Sequence, residues 1–157
     1  MNYKIESEAL TVCEVKISYQ PKVKSSKRPF LNSSVNIYRF LMENEVFPPE
    51  TIEYKEYFKV MLLNNARKLL GVIHLSEGSI DGTMVDVRHI MQAAILANAS
   101  GLIICHNHPS GSCRPSLQDD IITTKVQTAC NLFGIKLMDH LVITAESYYS
   151  YADEGKI

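Results

Sequence analysis

The sequence predicts a mixed α/β domain, a β-sheet flanked by helices, and three observations carry that expectation. Around Asn64-Asn65, Phe58, Val60 and Leu62 alternate with Tyr57, Lys59 and Met61 before the turn, and Leu69 to Leu75 follows it. That is the pattern of a β-hairpin with its turn chemistry. Leu102-Ile-Ile-Cys105 is a short, wholly apolar run, the kind found in a strand buried on both faces. Residues 87–98 and 117–133 instead repeat their apolar side chains at helical spacing.

Taken in order, Val15, Ile17 and Tyr19 alternate with Lys16 and Ser18, which predicts a half-buried strand over residues 10–19. Pro21-Lys-Val-Lys-Ser-Ser-Lys-Arg-Pro29 reads as a proline-bounded basic arm or linker. Ser33 or Ser34 caps a helix reaching about residue 45, with Val35, Tyr38 and Leu41 on one side, and Pro48-Pro49 ends the segment. After the hairpin, residues 77–82 form a loop. Asp86 is the N-cap of the helix Val87 to Asn98, with Gly101 as its stop. The second clear helix, Leu117 to Phe133, is closed by Gly134 in the left-handed position. Residues 135–144 return as a strand, and the tyrosine-rich tail gives a last strand or turn. There are no internal repeats. The organisation expected is an N-terminal arm over residues 1–50 (strand, basic linker, short helix) and a domain over 51–157.

At 157 residues the chain suffices for one compact core. Its apolar fraction of 46% and charged fraction of 21% are ordinary globular values and argue against wholesale disorder. No run approaches the roughly 20 apolar residues that cross a bilayer. The first residues carry no apolar signal core, so a cytoplasmic location is the expectation. Cys13, Cys105, Cys113 and Cys130 are widely spaced with no C-x-x-C pair, which reads as thiols in a reducing compartment. Sixteen basic against seventeen acidic residues leave no overall electrostatic drive toward nucleic acid.

The segment with chemistry in it is Cys105-His-Asn-His-Pro-Ser-Gly-Ser-Cys-Arg-Pro-Ser-Leu-Gln-Asp119. Side chains two apart on a strand share a face, so His106 and His108 project together from the strand end. Pro109 then stops the ladder, and a loop containing Gly111 and Pro115 leads to Ser116, where an N-cap is expected. Asp119 falls three residues later, in the first helical turn. Two imidazoles and a carboxylate form a catalytic zinc set, because three protein ligands leave a fourth tetrahedral position for water. Zinc lowers the pKa of such a water from about 16 to roughly 7.

The spacing His-x-His, seven residues, Ser, two residues, Asp matches the JAMM (MPN/JAB) metalloprotease motif at every fixed position. The words His-Asn-His-Pro-Ser-Gly and Pro-Ser-x-x-Asp, with Arg88, Asp139-His140 and Tyr148-Tyr149-Ser150, resemble the bacterial RadC-like branch over about residues 53–157. The resemblance implies a single JAB/MPN domain of the cytidine-deaminase-like fold, with one Zn²⁺ held by His106, His108 and Asp119. It implies that Ser116 assists the tetrahedral intermediate. It also implies a catalytic glutamate at the entry to the first core strand, the place of Glu56, with Glu53 and Glu77 as rivals. Full-length RadC-like proteins resemble a helix-hairpin-helix unit joined to this domain. Residues 1–50 lack its Gly-hairpin pattern and look like an abbreviated N-terminus.

Each part also has a plainer interpretation. Ser116-x-x-Asp119 alone is a capping box, and histidines near a strand end are often only hydrogen-bonded. Cys105 and Cys113 suggest a structural Cys₂His₂ zinc, but Cys105 should face away from His106. A zinc deaminase would need His-x-Glu and Pro-Cys-x-x-Cys, and neither is present. His74, His89 and His140 read as packing or surface residues, and the tyrosines at 148–151 as core and rim. Two functions remain in view. One is a zinc-dependent hydrolase of peptide or isopeptide bonds acting on a protein or peptide substrate. The other is a nucleic-acid-binding accessory of DNA repair or a mobile element, contacting phosphates through Lys22, Lys24, Lys27 and Arg28. Neither involves a membrane.

Overall fold

The computed structural model describes residues 19–78 and 85–157. The strand expected at 10–19, save Tyr19, and most of the loop at 77–82 lie outside the described residues. Five strands form one mixed sheet: β1 (Glu56–Leu63), β2 (Leu69–Gly78), β3 (Gly101–Asn107), β4 (Lys136–Ile143) and β5 (Tyr148–Ser150). Their order is β2-β1-β3-β4-β5. β3 runs antiparallel to β1 and parallel to β4, and the other pairs are antiparallel. The parallel pair is joined through α3 (Leu117–Leu132), as parallel neighbours need a crossover. α1 (Ser34–Glu43) and α2 (Val87–Leu96) are the remaining α-helices.

α1 starts at Ser33, whose hydroxyl accepts the Asn36 N–H, satisfying one of the free donors of the first turn. It then lays Ile37 and Leu41 on one face of the sheet, with Phe47, Tyr57, Met61, Ile103, Cys105 and Leu141. Leu41 is fully buried; truncating such a residue to alanine costs about 2–5 kcal/mol. The core therefore runs across residue 51, the boundary expected between arm and domain. α2 and α3 cover the opposite face, where Ile90, Ala94, Val126 and Cys130 meet Phe58, Val60, Leu102 and Ile104.

Helices on both faces explain why β3 is buried at every position. They also bury both faces of β1 beyond Glu56, including Lys59, whose ammonium lies 5.3 Å from the Tyr57 ring centroid and 5.8 Å from that of Phe47. The hairpin turn is wider than an Asn-Gly type. The Asn64 side chain accepts from the Ala66 and Lys68 N–H groups, and Arg67 takes the positive φ. The basic segment, with a 3-10 turn at Ser25–Lys27, is tied to this hairpin by a Phe30–Lys68 bridge and by Lys68 Nζ donating to Ser25 O. No helix among the described residues is long and apolar enough to cross a membrane.

Candidate metal centre

The carboxyl end of β3 delivers the first two candidate ligands. His106 is the penultimate strand residue, facing the α2/α3 side and stacked on Phe58 directly across β1 (centroids 5.9 Å, planes 6° apart). His108 lies just past the strand, its N–H bonded to Ile143 O, which keeps the chain in register with β4. Gly111, at φ +76°, turns the following loop. Ser116 then caps α3 in a full capping box: its Oγ accepts the Asp119 N–H, and Asp119 Oδ2 accepts the Ser116 N–H at 2.6 Å and O–H at 2.7 Å.

The capping role leaves Asp119 Oδ1 pointing at the histidines. It lies 3.0 Å from His106 Nε2, Oδ2 lies 3.4 Å from His108 Nε2, and the two Nε2 atoms are 3.0 Å apart. Among the described residues, His106, His108 and Asp119 form a group whose ligand atoms all lie within 4.8 Å of one another and could hold a metal ion. The proton inventory supports this. His108 Nδ1 faces the Ser112 carbonyl at 2.9 Å, so it donates there and Nε2 is its free acceptor. Nε2 lone pairs and carboxylate oxygens converging on one point repel each other unless a cation or a proton sits among them. Nitrogen and carboxylate donors of this kind suit zinc.

The same crowding sets the protonation. Burial opposes ionisation of Asp119, but its polar contacts with His106, His108 and Ser116 outweigh it and hold the carboxyl far below the usual range. His108 moves up, chiefly through its hydrogen bond with Asp119 and against the cost of burial. Behind the cluster, His140 on β4 is fully buried and held well below its ordinary value by desolvation, so it is neutral. Its Nε2 lies 2.9 Å from His106 Nδ1, and its ring stacks on Tyr151 at 4.8 Å.

Glu56 opens β1 on the same face as Phe58, and extending the β1–β3 register by two residues puts it across from His108. Its charge contributes to the upward shift of His108. Of its rivals, Glu77 pairs in register with Tyr57, on the opposite face, and bonds Lys55 at 2.9 Å. Glu53 is exposed in the turn before β1. Cys105 and Cys113 are not part of the group formed by His106, His108 and Asp119. Cys105 belongs to the α1-side core, as strand alternation predicts, and Cys113 Sγ lies 3.6 Å from Thr144 Oγ1. Exposed Lys22, Lys24 and Lys27 and half-buried Arg28 sit by the hairpin turn. That is the other end of β1, about 17 Å from His106 at 3.3 Å per residue.

Sequence reasoning missed Asn107. Fully buried, it accepts the Tyr57 N–H at 2.8 Å and donates to Ile52 O and Lys55 O at 2.7 and 2.8 Å, bracketing Glu56 on both sides. A lone amide in an otherwise apolar strand end was the available signal, since such a group needs partners when buried. Thr123 was missed too, although it stands one turn after Asp119 and so on the same helix face.

A UPF0758 protein of Flavobacterium johnsoniae is 48% identical over 100 residues, 64% of this chain and 44% of its own length. Those of Porphyromonas gingivalis and Thermotoga maritima are 46% identical over 102 residues and 34% over 127, covering 64% and 81% of this chain and 45% and 54% of theirs. The chain thus spans about half the length of these relatives. The profile of the RadC-like JAB domain matches residues 31–156, taking in α1 and the whole sheet. On that match, with the histidine pair and the first-turn aspartate brought together as described, the chain belongs to the RadC-like JAB domain family.

Proposed function

We propose that this chain is a zinc-dependent hydrolase of amide bonds, peptide or isopeptide, with His106, His108 and Asp119 as the metal ligands. The observation that supports it is the meeting of two Nε2 acceptors and a buried carboxylate at one point. Zinc at such a site supplies Lewis-acid activation of water and of the scissile carbonyl. Glu56, across from His108, takes the proton released from water and returns it to the leaving amine. Asn107 holds the backbone on both sides of Glu56, so the carboxylate is carried by a fixed strand entry. Ser116 is the hydrogen-bond donor to the developing oxyanion. Its hydroxyl is bonded to Asp119 Oδ2 in the resting arrangement, so this role requires it to rotate. The test is Glu56→Gln in a peptide and isopeptide cleavage assay. Zinc content should match the wild type while turnover is lost, and retained turnover would remove Glu56 from the chemistry.

A second reading, an accessory that binds nucleic acid, is favoured by the basic segment being pinned beside Lys68 and Arg67 at the hairpin end. Binding of that kind falls steeply with salt. It should disappear when Lys22, Lys24, Lys27 and Arg28 are neutralised; salt-insensitive or absent binding of DNA excludes it.

A further inference from the structure

We propose that His140 and Thr123 are positioning residues of the metal centre, which fix His106 in the tautomer that presents Nε2 to the metal. The inference rests on the metal-site reading above and goes beyond the three ligands to the proton wiring behind them. It follows from counting protons along one chain of contacts.

Thr123 Oγ1 donates to Asp119 O, one helical turn back, at 2.5 Å. A hydroxyl has a single proton. Toward His140 Nδ1, 2.6 Å away, Thr123 can therefore only accept, and the His140 proton resides on Nδ1. A neutral imidazole has one N–H, so His140 Nε2 is an acceptor. Its partner at 2.9 Å is His106 Nδ1, which must donate. His106 is left with Nε2 as its lone-pair atom, the one lying 3.0 Å from both His108 Nε2 and Asp119 Oδ1. The chain closes on itself: it begins at the backbone of Asp119, one ligand, and ends at the imidazole of another.

Packing holds this wire still. His140 is fully buried, stacked on Tyr151, whose hydroxyl is anchored to Asp120 Oδ1 at 2.7 Å. His106 is stacked on Phe58. Neither ring can turn to exchange its nitrogens without breaking a stack. Partners of this kind behind a ligand histidine typically change metal affinity 10–100-fold when removed.

The substitutions follow from the wiring. Thr123→Val keeps the β-branched shape but takes away the acceptor for His140 Nδ1–H. His140 then shifts its proton to Nε2 and donates to His106 Nδ1, which drives the His106 proton onto the ligand atom. His140→Phe fills the aromatic slot but offers no acceptor, whereas His140→Gln restores a carbonyl acceptor near the Nε2 position.

The deciding experiment has two readouts. Long-range ¹H–¹⁵N correlation of histidine-labelled, metal-free protein reads the tautomers directly. The wild type should show His106 and His140 both protonated on Nδ1, and Thr123→Val should move His140 to the Nε2–H form. Zinc affinity, measured against a competing chromophoric chelator, should weaken about 10–100-fold in Thr123→Val and His140→Phe, with His140→Gln recovering most of it. A His106 protonated on Nε2 in the metal-free wild type overturns the proposal, as does zinc affinity within twofold of wild type in folded Thr123→Val. A wild type that takes up no zinc defeats the metal-site reading instead, while the tautomers still decide the wiring.

Discussion

α2 and α3 begin in similar ways, with an acidic side chain closing the first turn, yet the two carboxylates have different fates. At α2, Asp86 Oδ1 accepts the Arg88 N–H, and both oxygens bond the Arg88 guanidinium over an exposed surface. At α3, Asp119 spends Oδ2 on the Ser116 cap and turns Oδ1 into a buried cluster of imidazoles. A capping carboxylate has an oxygen to spare. What that oxygen meets is decided by tertiary structure, and there local chemistry becomes a site.

The comparison can be broken at several points. The largest effect is expected from Asp119→Asn, which retains a cap acceptor but loses the charge. Helicity should persist and zinc affinity should fall by more than about 100-fold, given that a residue touching the metal outweighs the 10–100-fold of its supporting partners. An equal loss of both would mean that Asp119 serves the fold first. Zinc uptake should also depend on pH in a definite direction. His108 is raised above its ordinary 6.5, so in metal-free protein its contact with Asp119 stabilises fully below 6.5 and is lost as pH rises through the raised value. Asp119, depressed from 3.8, contributes stability above 3.8 that is lost only as pH falls through its lowered value. Zinc must displace the His108 proton, so its affinity should climb with pH over the interval in which the metal-free protein loses that contact. Calorimetric titration at several pH values would show it, and a flat profile would contradict it. The smallest effect belongs to the ordinary cap: Asp86→Ala should cost about 1 kcal/mol, seen as a Tm lower by roughly 2–4 °C, with zinc affinity unchanged.

Local signals in the sequence located the helix starts well. Ser33, Asp86 and Ser116 are the N-caps, and Gly134, at φ +65°, follows the end of α3. The end of α2 differs from the expectation that Gly101 stops it: the helix ends at Leu96 and Asn98 adopts the left-handed conformation, which asparagine tolerates. Gly101 instead opens β3, where a Cβ would come within 3.2 Å of the Met138 side chain. Alternation in β1 indicates a hairpin strand but carries no signal for the burial of its lysine. Lys59 is buried because α1 and Phe47, distant in sequence, cover that face.

The same division holds at the site. His106, His108 and Asp119 were legible because a strand end and a helix start fix their spacing within fourteen consecutive residues. Asn107, Thr123 and His140 were not, because their meaning depends on partners on other elements. His140 joins His106 only through the parallel pairing of β3 with β4, and periodicity carries no trace of that pairing. Glu56 was reached by resemblance; the β1–β3 register puts it on the face of His106, and the β1–β2 register pairs Glu77 with Tyr57 on the other face.

The most direct measurement is the metal content of purified protein by elemental analysis, beside that of the double variant His106→Ala/His108→Ala, before and after zinc reconstitution at neutral pH. About one zinc per chain in the wild type and none in the variant is the expected result. No zinc in either after reconstitution would mean that the convergence of His106, His108 and Asp119 is a packing arrangement and not a metal centre.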